Sequence, residues 1–459
     1  MSSTEVSVDK AETGVKPSAQ PASVSFFDPA LSQVRRHVFL QWGKTVLILC
    51  TFILGILSLF WAVQYKLETR FHKLTVWVVD FDGQVEPYRN TAPVVGPAVV
   101  NVIEDIQQTN SEALGYTIKA PADFNNDPWA VRQSIYDEHA YAAIIINANA
   151  TALLRSAVTT GNTSYDPLGA AEFVIISARD EATYYNYILP QFWSVDQAVR
   201  SAFGPRWIQN LTSSSANLNL SAVPAQALNP AIGFTQTDLR FFGPAVISPA
   251  TSIGLIYLII LAFFNTPFMM PVHLQFIKTP ADKPALKIPQ WLLWRICSNI
   301  GTYFTLSLFY SFVSLAFQIP FSNPPASPVE PATNPNAYGH GSFVVYWMLN
   351  WVGMCALGFP CENMAMIIGF PWSALFLIFW VITNVATGFY AIDLAPGFFR
   401  WGYVWPLHRI VEALRTILFD THSRIGLDFG VLFVWIAVSI ALFPFAAKFM
   451  QWKQKRGWA

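Results

Sequence analysis

Between Lys44 and Lys66 the chain runs for 21 residues, Thr45 to Tyr65, without one charged side chain. As a helix rising ~1.5 Å per residue, that stretch matches the ~30 Å hydrocarbon core of a bilayer. A polar tail of 44 residues precedes it. A cleaved signal peptide places its apolar region nearer the start, so this stretch reads as a signal anchor. A second charge-poor region covers most of 245–447. The whole chain is therefore 53% hydrophobic and only 12% charged, about half the charge share of an average soluble domain. Lys and Arg number 28, as do Asp and Glu, and this zero balance argues against nucleic acid as a partner. All four cysteines, Cys50, Cys297, Cys355 and Cys361, fall in the apolar regions. The polar region between them cannot hold an internal disulfide and needs an ordinary core.

Charge bias does not orient the first span, because Arg35, Arg36 and Lys44 before it are matched by Lys66, Arg70 and Lys73 after it. Asparagine sequons do. Asn149, Asn162, Asn210 and Asn219 all lie between the first and second spans, and a sequon is usable only on the luminal side. Residues 66–245 are therefore expected outside. Further spans are read at Pro249–Met270, Ile296–Ile319, Phe343–Cys361, Phe370–Ile392 and Phe429–Ala447. The basic loop with Lys278, Lys283, Lys287 and Arg295 and the basic tail 448–459 then fall in the cytoplasm. The expected fold is a polytopic α-helical membrane protein of six spans, both termini cytoplasmic. Residues 1–44 form a disordered cytoplasmic tail, 45–65 the first transmembrane helix, 66–245 an extracytoplasmic α/β domain, and 246–447 a five-helix bundle.

Within 66–245, candidate strands alternate with candidate helices: Leu74–Asp80, Ala98–Gln108, Pro128–Tyr136, Tyr141–Ile146, Thr151–Val158, Phe173–Ser177 and Glu181–Phe203, an α/β pattern. Pro190 should kink or end the last of these, and 208–225 read as a loop. Near the C-terminus, residues 404–419 place Ile410, Leu414 and Leu418 on one face with Glu412 and Arg415 off it. That pattern predicts an amphipathic helix at the outer leaflet, in which Glu412 can pair with Arg409 and with Arg415 at three-residue spacing.

The sequence contains no G-x-x-x-x-G-K-[ST], H-E-x-x-H, G-x-S-x-G or paired C-x-x-C, so neither catalytic nor cofactor-binding residues are assigned. The seven histidines show no metal-ligand spacing, and no metal site is assigned. Asp80 and Asp82 follow a strand and read as turn chemistry. Glu362 stands in Phe359-Pro-Cys-Glu-Asn363, between Pro360 and Pro371. It is expected at headgroup level in a tight cytoplasmic turn, with a proton or substrate role as the alternative.

One span, an exterior α/β domain and five spans together resemble the membrane component of type-2 ABC exporters and the phage-infection-protein group. More closely, the chain resembles the fungal nitrosoguanidine-resistance membrane protein family. The stretches that carry the likeness are Leu74-Thr-Val-Trp-Val-Val-Asp80, Tyr141-Ala-Ala-Ile-Ile-Ile146 and Trp405-Pro-Leu-His-Arg-Ile-Val-Glu-Ala-Leu-Arg415. The resemblance implies a multi-pass cell-membrane protein linked to resistance to toxic compounds. The expected function is a transporter, or transport-associated protein, that moves amphipathic compounds or lipids outward, with Arg409, Glu412, Arg415 and Glu362 as candidate transport or structural residues. Its partners would be membrane lipids, an amphipathic small molecule, and a second copy or a separate ATPase subunit. A non-transporting scaffold or regulator with a glycosylated sensing domain is the alternative. A glycosyltransferase using Asp80 and Asp82 lacks a second acidic cluster.

Overall fold

The computed structural model describes residues 23–214, 220–277, 283–321 and 338–457. Of the sequence readings, Asn219, Lys278 and the first half of the N-terminal tail lie outside these. Residues 1–55 form one compact unit and 56–459 a second.

In the first unit, the Asp28 carboxylate accepts the Ala30 N–H at 2.8 Å and Pro29 opens the helix, a favourable start. Helix α1 (Ser32–Phe52) follows. It begins inside the stretch expected to be a disordered tail, because Ser32 to Gln41 holds helix formers without Gly or Pro. None of its residues is buried, and Leu47 and Leu54 stand exposed. From Thr45 onward the helix is apolar on all sides, the composition of a lipid-facing span.

The second unit begins with α2 (Ser58–Gln64) and a short 3-10 turn. The α/β layer follows: β1 (Thr75–Asp80), α3 (Val95–Thr109), β2 (Gly115–Lys119), α4 (Pro128–Tyr136), β3 (Ala142–Ile146), α5 (Ala150–Thr160), β4 (Ala171–Ile175), the single turn α6 (Glu181–Thr183), α7 (Leu189–Ser214), α8 (Ala225–Leu228) and β5 (Phe234–Asp238). The strand order is β2-β1-β3-β4-β5. All pairs are parallel except β3 with β4, where Ile146 lies opposite Ala171. The excursion through α5 thus starts and ends at one end of the sheet, and β4 has to return antiparallel.

β3 and β4 are buried on both faces, which is why β3 reads as an unbroken apolar run and the one acid of β4, Glu172, is paired with Arg132 at 2.7 Å. One face carries Val76, Val78, Ile144 and Phe173 against Val99 and Ile103 of α3 and Phe192 and Val199 of α7. The other carries Val79, Ala143, Ile145 and Val174 against Val131 and Ile135 of α4. Pro190 does not end the last helix of the domain. The turn ahead of it widens so that the Leu189 N–H reaches Tyr184 O, and Pro190 falls in the first turn of α7, where its missing N–H is tolerated. The expected loop at 208–225 therefore starts later, past Ser214.

The remaining helices are α9 (Ser248–Thr251), α10 (Ile256–Leu274), α11 (Ile288–Ala316), α12 (Ser342–Ile368), α13 (Ser373–Gly388), α14 (Pro406–Phe419) and α15 (Ile425–Lys455). Among the described residues, four helical stretches are long and apolar enough to cross a membrane: Pro29–Gln64, Ala245–Leu274, Gly339–Ile368 and Ile425–Lys455. α13 is apolar but shorter. α11, with 29 residues, is diluted by serine, threonine and asparagine. α12 lies at the centre, packed on α10, α11, α13, α14 and α15, and from Val352 to Asn363 every residue is buried.

Candidate functional site

A cavity of about 310 Å³ opens where the α/β layer meets the helical layer, and its wall holds Arg179, Arg409, Arg415 and Arg424 against Glu138, Asp180, Asp393 and Glu412. The helix at its centre is α14. Trp405 and Pro406 start it, and the Asn384 carboxamide oxygen accepts the Leu407 N–H at 3.1 Å, satisfying one otherwise orphaned donor. The apolar face, with Leu407, Ile410, Val411, Leu414 and Leu418, packs into the bundle core. α14 is not a surface helix. Arg409 and Arg415 are each 8% exposed, because α12, α13 and α15 on one side and Asp180 and Glu181 on the other enclose it.

The expected local pairing is present only in part. Arg415 lies 3.7 Å from Glu412, but its short contact is to Glu181, at 2.9 Å, with Asp180 at 3.9 Å. Arg409 pairs with Asp428 of α15 at 3.3 Å and donates to Tyr403 O at 2.6 Å. Glu412 is instead approached by Arg424 at 4.0 Å, while Arg424 holds Glu138 at 2.9 Å. The Asp393 carboxylate accepts from the Tyr141 hydroxyl at 2.6 Å and the Tyr403 hydroxyl at 2.7 Å. A neighbouring clamp joins the layers again: Arg240 Nη2 donates to Asp420 Oδ2 at 3.0 Å, and the Tyr136 hydroxyl donates to Asp420 O at 3.0 Å.

Burial raises the Asp180 carboxyl above the ordinary range against the pull of Arg415, and raises Asp420 to about 6 against that of Arg240. Burial also lowers His408 to about 4, outweighing Glu412, so its imidazole is neutral at physiological pH. The Arg415 Nε is buried without a hydrogen-bond partner among the described residues. The wall thus offers balanced, partly unsatisfied charge and a neutral imidazole: a binding surface for a polar or zwitterionic group.

Glu362 stands inside a helix and not in the expected tight turn. α12 continues through Pro360 to Ile368, and the stop comes from Gly369 (φ 81°) with Pro371 behind it. Glu362 is wholly buried in the bundle, with Arg295 Nη2 at 2.5 Å, Arg295 Nε at 3.0 Å and the Asn299 carboxamide also donating to it. Asp82, also buried, spends its oxygens on the Gly96 N–H (3.0 Å), the Thr151 N–H (2.9 Å) and the Thr151 hydroxyl (2.5 Å), a structural hub. Asn162 and Asn210 are exposed and Asn149 half-buried. Asp180 and Glu181 escaped sequence reasoning, while Asp420 and Asp428 stand out in the sequence only as members of a charge balance. The available signal was the balance of four arginines by four acids over 393–428, which said that partners exist without saying which.

An α/β layer clamped by ion pairs onto a bundle of long apolar helices defines a polytopic membrane protein. The chain belongs to the family described as protein of unknown function DUF3533, which matches residues 45–441. It is 26% identical over 455 residues to an uncharacterized endoplasmic reticulum membrane protein of Saccharomyces cerevisiae, covering 95% of this chain and 85% of that one. No solved structure matches it.

Proposed function

We propose that the protein is a transporter, or a transport-associated subunit, that moves amphipathic compounds or lipids outward through its five-helix bundle, in a six-span topology with both termini in the cytoplasm and residues 66–245 extracellular or luminal. The observation that carries this reading is the charged cavity beside α14. A polar wall adjoins an apolar bundle, and a cargo with a polar head and an apolar body needs both. The likeness to nitrosoguanidine-resistance proteins and exporter membrane subunits supports resistance to toxic compounds as the outcome and the cell membrane as the place. A second copy or a separate ATPase subunit would complete it.

The test is reconstitution of the full chain into liposomes with fluorescent phospholipid and cationic drug probes, with and without an added ATPase subunit. Probe movement lost on Arg415→Ala is expected. Binding without movement under every condition would favour the scaffold reading.

A further inference from the structure

Helix α11 turns a polar stripe to the bundle interior. Arg295, Asn299, Tyr303, Ser307 and Ser311 recur at every fourth position, Ser314 continues them, and all are buried. At ~1.5 Å per residue the stripe extends about 28 Å, close to the ~30 Å of a hydrocarbon core. The facing helices answer it. Asn350 of α12 donates to Ser311 Oγ at 3.0 Å, and Tyr346 of the same helix meets Ser314 at 2.8 Å. The Tyr303 hydroxyl donates to Ala262 O of α10 at 3.1 Å, and Asn265 donates to Asn299 at 2.9 Å.

At one end stands the ion pair. Glu362 is the sole acid in α10 to α13, and Arg295 the sole arginine or lysine. Arg295 Nη1 also reaches His273 Nδ1 at 2.7 Å, and His273 is half-buried, so the network leads from the buried carboxylate towards the surface. The other ionisable side chains around Glu362 are Tyr303 of α11 and the Cys361 thiol of α12; the facing contact from α15 is Ser439, through its carbonyl to Asn363. Inside the seam, Asn265 Oδ1, Asn350 Oδ1 and Thr266 Oγ1 have no partner among the described residues. Serines and asparagines alone would be hydrogen-bonding glue between helices. A buried ion pair is a poor glue, since apolar side chains of equal volume hold helices as well or better. Charges retained at such depth mark ion and proton paths.

We infer that Glu362 is a proton-binding site and the α10–α11–α12 seam its route across the bundle. A hydronium ion entering from the His273 side gives up a proton, one of its O–H bonds breaking as an O–H bond forms to a Glu362 carboxylate oxygen. The O–H bond that forms neutralises the carboxylate and releases Arg295, which keeps its contact with His273. Loss of that proton along the Tyr303–Ser314 part of the stripe breaks the O–H bond and restores the pair. One proton enters and one leaves. As a driving force for cargo, this step rests on the transport reading above; as a proton site it stands alone.

The experiment needs no cargo. Dicyclohexylcarbodiimide modifies carboxyls in their protonated form in apolar surroundings, and the full chain in liposomes is treated with it between about pH 5 and pH 8. Peptide mass spectrometry is expected to find the adduct on Glu362, falling about tenfold per pH unit above its midpoint, and absent in Glu362→Gln. Arg295→Gln should raise labelling at the alkaline end by removing the counter-charge. Wild-type protein in which Glu362 stays unlabelled throughout this range, yet reacts once unfolded, would overturn the inference, because a static ion pair behaves that way. That result leaves ATPase-driven probe movement untouched, so the two readings fail separately.

Discussion

Arg295 and Glu362 are 67 positions apart in the chain and meet at 2.5 Å with neither side chain accessible to solvent. Removing one partner strands the other charge, which costs about 3–5 kcal/mol in a buried pair. Arg295→Leu is therefore expected to lower the midpoint of thermal unfolding in detergent substantially. Arg295→Leu with Glu362→Leu should recover most of it, since two apolar side chains leave no stranded charge. A double variant no more stable than the single would show that the pair is not what Arg295 contributes.

At the cavity, the expected order of loss in probe movement and surface level is Arg415→Ala, then Glu412→Ala, then Glu112→Ala. Arg415 is buried against Glu181 and Asp180, whereas Glu412 has only the 3.7 and 4.0 Å contacts, and Glu112 is exposed. The reversal Glu412→Arg with Arg415→Glu should not rescue function, because it sets a third carboxylate against Asp180 and Glu181. Rescue would mean that the helix-local pair governs α14 after all.

If the α/β layer lies outside, as proposed, Asn162 and Asn210 are expected to carry glycan and Asn149 to carry none. The Thr151 of the Asn149 sequon is buried and its hydroxyl is committed to Asp82. Endoglycosidase should lower the apparent mass, and Asn162→Gln with Asn210→Gln and Asn219→Gln should abolish the shift. An unshifted wild-type band would invert the orientation.

Acid sensitivity should trace in part to His408. Its folded pKa of about 4 lies below the ordinary 6.5, so the unfolded chain binds more protons between those values. The stability held at neutral pH is lost as pH falls through that window. Asp420, raised to about 6 from 3.8, contributes with the opposite sign: its stabilisation is complete below the lower value and fades as pH rises through the higher. Unfolding midpoints at pH 7 and near pH 4 contain both contributions, so the histidine is isolated by comparing wild type with a variant that keeps Asp420. The difference between the two midpoints should shrink in His408→Gln, and an unchanged difference would assign acid sensitivity to other groups.

Much of the α/β layer is legible in the sequence because its helices and inner strands carry strong periodic signals. Pro128–Tyr136 was readable to the residue, and β3 is a plain apolar run. β2 and β5, Gly115–Lys119 and Phe234–Asp238, escaped: they are edge strands with exposed polar positions and little apolar pattern. Glu362 was misplaced by reading Pro360 as a helix end. Inside a bundle, neighbours satisfy the backbone that a proline frees, and helices run through it. α14 was recognised as amphipathic, but its burial depends on Asp180 and Glu181, contributed from more than two hundred positions upstream. No local pattern contains that information.

The clamp between the layers has a consequence for biosynthesis. Asp180 and Glu181 find Arg415, and Arg240 finds Asp420 with its neighbouring carbonyl, only after α14 has been made. The α/β layer can close its sheet early, yet its facing carboxylates and guanidinium wait through the translation of nearly the whole bundle. Before α14 is made, Asp180 has its Thr183 contacts but not the Arg415 guanidinium. The helix that supplies Arg415 and Asp420 is thus the one for which the interlayer contacts of the earlier-made α/β layer wait, so docking of the two layers follows the making of α14 and cannot precede it.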